Sequence, residues 1–169
     1  MRNVLIALAV MATPAKAETL RFFPPEGFTG VHTSDTGTVK LTEYVHEGEA
    51  LDGWTNAITV AEVRGTGLGA VDYVARLSAD LATGCSQAFD MDPDIFDAGG
   101  RTSTLSLHAC PNMDMSGRPE VDLLRVIEGH DGTLFAIQRS WVISPPGEEL
   151  TEWTDWIRAL QVCDQDGCS

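Results

Sequence analysis

The chain has 169 residues, 43% of them hydrophobic, with 25 acidic side chains against 11 basic ones and a formal net charge of −14. That length suits one domain with a real core. So acidic a surface repels phosphate backbones and anionic lipid, which excludes nucleic acid as a partner and leaves cations and cationic partners compatible.

The opening stretch reads MRNVLIALAVMATPAKAETL. Arg2 supplies a short positive segment, Val4 to Ala12 an uncharged apolar run, and Ala15-Lys16-Ala17 the small-x-small pattern read by signal peptidase. The expectation is a signal peptide over residues 1–17, cleaved after Ala17, and a single α+β domain over residues 18–169. The apolar run of about nine residues is too short for a bilayer, which needs about 20, and no later run is longer. A retained membrane anchor is the weaker alternative. Losing Arg2 and Lys16 would leave 9 basic residues against 25 acidic, a net of −16, with Lys40 the one remaining lysine. The expected location is periplasmic or secreted.

Thr19 to Phe23 reads as a short strand closed by Pro24-Pro25. From Val39 to His46 apolar and polar residues alternate, as in a half-buried strand, and Asn56 to Val63 is a second strand rich in β-branched residues. Gly65-Thr66-Gly67 breaks it. Leu68 to Thr83 then reads as a helix, with Leu68, Val71, Val74, Leu77/Leu78 and Leu81 as its apolar stripe and Gly84 as its stop. Strands follow at Thr102–Cys110, Val121–Glu128 and Thr133–Ile143, the last two joined by the hairpin sequence Gly129-His130-Asp131-Gly132. Ser144-Pro145-Pro146-Gly147 starts a second helix with Leu150, Trp153, Trp156/Ile157 and Leu160 on its buried side. Glu148, Glu149 and Glu152 near its start and Arg158 near its end suit the helix dipole. Hairpin-linked strands make the sheet mainly antiparallel with two packed helices, an α+β class.

Four cysteines in an exported chain argue for disulfides. Cys163 and Cys168 enclose the turn-forming Asp164-Gln165-Asp166-Gly167, which leaves Cys85 for Cys110. Zinc is the competing use, but no CxxC pair is present and the four histidines are scattered.

The segment Glu47-Gly48-Glu49-Ala50-Leu51-Asp52-Gly53-Trp54-Thr55-Asn56-Ala57-Ile58-Thr59-Val60 resembles an acidic-loop, Trp-Thr, strand signature of small secreted bacterial proteins of unassigned role. The order of elements is similar to the PsbP/Mog1-like α+β sandwich. That resemblance implies a non-enzymatic interaction module and carries over no active site.

Several segments carry candidate chemistry. Gly65-Thr66-Gly67-Leu68-Gly69-Ala70 fits GxGxxA between a strand and a helix, where free amides can cradle a phosphate. The antiparallel pattern around it closes no βαβ unit, so a tight turn explains it better. Asp90, Asp92, Asp94 and Asp97 place hard oxygen ligands at alternate positions, like the start of a calcium loop. Ile95 stands where that loop needs glycine and Arg101 where it needs a bidentate glutamate. A solvated acidic turn is the plainer reading; Asp164 and Asp166 are weaker candidates still. His108, Met113 and Met115, with Met91 or His130, form a possible soft set for copper(I). No cofactor is expected.

Catalytic residues are not identifiable. GxSxG, HExxH and a free Cys beside a His are all missing, and a carboxylate pair across a cleft could not be picked from so many acids. His46 and His108 read as structural. Trp141, Trp153 and Trp156 read as core, and Trp54 as the tryptophan best placed for a surface contact. The functional expectation is an exported, non-catalytic binding or interaction module whose partner is an envelope protein or a small ligand. A periplasmic metal-handling protein is the alternative and a hydrolase the third reading.

Overall fold

A computed structural model describes residues 17–85, 87–112 and 117–168. The expected signal peptide, except for Ala17, and the Met113/Met115 pair lie outside the described residues.

Three strands open the main sheet: β2 (Phe28–Asp35), β3 (Val39–His46) and β4 (Asn56–Val63), preceded by a separate short strand β1 (Thr19–Arg21). Helix α1 (Ala70–Gly84) leads to two short strands, β5 (Phe89–Asp90) and β6 (Asp94–Asp97), and then to the long strands β7 (Thr102–Cys110), β8 (Glu120–Glu128) and β9 (Leu134–Trp141). Helix α2 (Gly147–Arg158) and the small strands β10 (Gln161–Asp164) and β11 (Gly167–Cys168) complete the chain. The main sheet has the order β2-β3-β4-β9-β8-β7-β5, with β6 also on β7, and its pairings are antiparallel. A second sheet, β1-β10-β11, joins the first strand to the end of the chain. The α+β class and antiparallel sheet expected from the sequence are those of the structure.

Strand alternation divides the core into two layers. On one face Ala61, Val63, Leu124, Val126, Leu134 and Ala136 pack under Ala70 and Val74 of α1. On the other, Ile58, Leu105, Leu123, Ile127, Phe135, Ile137 and Trp141 pack with Ile157, and Leu150, Trp153 and Trp156 of α2 close over them. The two helices therefore cover opposite faces of one sheet.

Two buried arginines belong to the α2 layer. Arg125 Nη1 donates to the carbonyls of Ile157, Arg158 and Leu160, each at 2.8 Å, which satisfies backbone acceptors left open where α2 ends. Arg139 lies over the rings of Trp141 and Trp153, 4.4 Å from each centroid, and of Phe28 at 5.1 Å. Its Nη2 donates to Asn56 Oδ1 at 2.7 Å.

The details differ from the sequence reading in several places, among them the last strand of the main sheet, which runs Leu134–Trp141 rather than Thr133–Ile143. The first strand ends at Arg21, not Phe23, and belongs to the small sheet. Strand β2 had no signal because it lies at the sheet edge with most of its residues exposed, so nothing imposes alternation on FTGVHTSD. Helix α1 starts at Ala70, two residues late, because Gly69 is extended at φ −81° and ψ 170° and stands as the N-cap. That start brings Ala70, Tyr73, Val74 and Leu77 onto the sheet, and Val71, expected in the stripe, is 37% exposed. The acidic segment from Asp90 to Asp97, expected as a turn, instead supplies β5 and β6 to the edge of β7.

Both expected disulfides are present. Cys85–Cys110 ties the end of α1 to the end of β7, and Cys163–Cys168 closes the β10–β11 hairpin. Among the described residues no helix is long and apolar enough to cross a membrane.

Candidate functional site

Helix α1 covers only part of its face of the sheet. Past the apolar patch the same face turns polar, with Ser106 and His108 on β7, Glu120 and Asp122 on β8, and Gln138 and Ser140 on β9. The cross-strand register sets His108 opposite Asp122 and Asp122 opposite Ser140. A pocket of about 290 Å³ opens here between helix and sheet. Leu77, Asp80, Leu81 and Gly84 of α1 form one wall, and His108, Glu120, Asp122, Leu124 and Gln138 the other.

Glu120 and Asp122, two apart on one strand, point to the same side and are hydrogen-bonded to each other. Asp122 is buried, and its Oδ1 accepts from Ser140 Oγ at 2.5 Å and Gln138 Nε2 at 2.9 Å. Burial, with the neighbouring Glu120 charge added, pushes its carboxyl up to about 8. Burial also raises Glu120, against the opposing pull of the hydrogen bond from Asp122 and the charge of Arg118. Two adjoining carboxyls in a poorly solvated site cannot both ionise at low cost, so the pair holds one proton near neutral pH.

His108 is fixed from both sides: Nε2 lies 2.8 Å from Ser106 Oγ and Nδ1 2.8 Å from Asp90 Oδ1. The order Asp90–His108–Ser106 is that of a hydrolytic triad. Ser106, however, is only 3% exposed and does not line the pocket, so its hydroxyl is not presented to a substrate there. The line holds the His108 ring in place.

The four candidate aspartates have separate surroundings. Asp90 holds His108, Asp94 pairs with Arg158, and Asp97 Oδ1 accepts from the Gly100 amide at 3.1 Å. Asp92 is exposed and lines a second pocket of about 240 Å³, on the α2 side, with Met91, Leu105 and Leu150. Among the described residues no three His, Cys, Asp or Glu side chains converge in a metal-binding arrangement. Trp54 is half-buried under the Arg118 guanidinium, 4.9 Å from its ring centroid, and its carbonyl accepts from Arg118 Nη1 at 3.0 Å. His46 stacks on Phe28 at 4.4 Å, and His130 lies on the exposed β8–β9 turn.

The glycine-rich turn before α1 also has an occupant. Glu128 Oε2 accepts from the Ala70 amide at 3.2 Å, placing a carboxylate of the chain itself at the helix N-terminus. A Cβ on Gly69 would stand 3.0 Å from that oxygen, so glycine there permits the approach.

No family model matches the chain, and no curated protein matches it. Solved structures similar in fold include two Mog1 proteins. One is the Saccharomyces cerevisiae Ran-binding protein Mog1p, at 16% identity and a TM-score of 0.45, covering 83% of each chain. The other is a single-substitution mutant of protein Mog1, at 15% identity and a TM-score of 0.45, covering 83% of this chain and 84% of that one.

Proposed function

We propose that the chain is an exported, non-catalytic binding module that captures a small ligand in the pocket between α1 and strands β7, β8 and β9. The observation that carries this reading is the pocket itself, with apolar walls from Leu77, Leu81 and Leu124 converging on the Glu120–Asp122 pair. A concave, mostly apolar site with a few convergent polar groups is the usual form of a ligand site, and about 290 Å³ lies near the small end of the range. The two disulfides support passage through an oxidising compartment.

The raised Asp122 carboxyl also favours a second reading, acid–base catalysis. Against a glycosidase, the two carboxyls adjoin each other, whereas glycosidase pairs stand about 5 Å or more apart to flank the scissile bond. No Ser, Thr, Cys, Lys or Tyr lines the pocket among the described residues. Binding is the better account of this arrangement.

The test is native mass spectrometry of protein purified from its own host. The expected species lacks residues 1–17, contains two disulfides and carries a small-molecule adduct that Leu81→Arg removes. A full-length species with four free thiols would overturn export. A correctly processed protein whose adduct survives Leu81→Arg would overturn the pocket.

A further inference from the structure

Resting on that reading of the pocket, we infer that its ligand is a small organic monocation, an ammonium head on a short apolar body. The charge of the lining has one sign. Glu120 and Asp122 stand on the sheet wall and Asp80 on the helix wall, and no Lys or Arg is among the lining residues. The cation nearest the pair in effect is Arg118, which acts on Glu120 from outside the pocket and is stacked on Trp54. Leu77, Leu81 and Leu124 give the apolar body a surface to cover, which a bare inorganic cation would leave wet.

Donor chemistry separates an ammonium from a metal ion. The ring nitrogens of His108 are engaged by Ser106 and Asp90, so the histidine has no free lone pair to offer. That leaves three carboxyls, Asp80, Glu120 and Asp122, of which Asp122 Oδ1 already accepts two hydrogen bonds. An ammonium can be held by two acceptors and need not be surrounded, whereas calcium takes six to eight oxygens.

Binding is linked to protonation. The groups facing the pair are Asp80 on α1, His108 on β7, and the uncharged Gln138 and Ser140 on β9, with Arg118 at the approach to β8. An ammonium entering beside the carboxyls replaces the shared proton as their counter-charge, and that proton passes to solvent. Affinity therefore rises with pH until the amine itself loses its proton.

The experiment is an NMR titration of the oxidised protein with n-butylamine, 1-butanol and butyrate, following the amides of Leu81, Gly84 and Leu124 at about pH 6 and about pH 8. The amine is expected to bind about tenfold or more tightly than the alcohol, and more tightly at the higher pH, with butyrate weakest. Glu120→Gln and Asp122→Asn, checked for unchanged folding by their spectra, are each expected to reduce the amine toward the alcohol. Equal binding of amine and alcohol would overturn the charge inference and leave the pocket standing. Binding by none of the three probes would overturn both.

Discussion

Asp122 of β8 and Ser140 of β9 face each other across one register pair, and the serine hydroxyl donates to the carboxyl at 2.5 Å. This contact fixes one carboxyl oxygen and turns the rest of the group toward Glu120, so the protonated acid serves the fold as a hydrogen-bond donor.

Asparagine reproduces that protonated state. Asp122→Asn keeps an acceptor for Ser140 and Gln138 and offers an N–H to Glu120. The folded carboxyl titrates at about 8, above the ordinary value near 4, so the native state holds a proton the unfolded chain has released. Its stabilising share is present at acid pH and is lost as pH rises toward about 8. Thermal unfolding is expected to give similar Tm values for both proteins near pH 4 and a higher Tm for the variant near pH 9. A variant less stable at both ends would show that the pair is not sharing a proton.

Cys85–Cys110 closes a loop across 25 residues and anchors the end of α1 that carries Leu81 and Gly84. Replacing both cysteines with serine is expected to cost about 3 kcal/mol in denaturant unfolding, mainly through the larger freedom of the unfolded chain. Ligand-probe binding should weaken as well, because the helix wall of the pocket loses its tether. Cys163–Cys168 spans five residues, and its removal should leave the pocket unchanged.

Arg139 is 1% exposed amid Phe28, Trp141 and Trp153, and burial lowers its guanidinium to about 10. It also donates to the Ala57 and Ser140 carbonyls at 3.2 and 2.6 Å. Arg139→Ala removes a packed side chain and strands buried acceptors, with an expected loss of about 3–5 kcal/mol. The loss should be accompanied by a red shift in tryptophan fluorescence as water reaches the cavity. A loss below about 1 kcal/mol would mean that the α2 layer does not depend on it.

Glu18 and Arg101, 83 residues apart, form a buried ion pair at 2.7 Å, with side chains 2% and 3% exposed. Glu18→Gln leaves the guanidinium with a weaker partner, although Asp164 stands 3.7 Å away. The expected cost in denaturant unfolding is about 3 kcal/mol, at the low end for breaking a buried pair. Because Glu18 is the first residue after the expected cleavage point, trimming the chain to Thr19 should reproduce it.

The long strands and both helices were legible because burial imposes a period on them. Asn56 to Val63 and Thr102 to Cys110 have in the structure the bounds read from sequence. Strand β2 and the β5–β6 pair were not legible, since edge positions impose no burial pattern and their acids read as solvated. The site was missed for a related reason. Asp122, Gln138 and Ser140 sit in strands recognised for their apolar partners, with Glu120 just before the expected start of one, and nothing in one strand says that its polar face meets another's. A signal existed in Asp122, a carboxylate inside VDLLRVI. Alternation placed it inward, where an acid needs partners.

Neither margin of the large sheet offers a long straight template. On one side β5 has two residues and β6 four, separated by Met91–Pro93, and proline has no amide hydrogen to donate. On the other, the β2 register slips between Gly30 and His32. Breaks of this kind discourage strand-by-strand stacking of neighbouring copies. In this chain the obstacle to such stacking lies in the backbone itself, at both rims of the sheet.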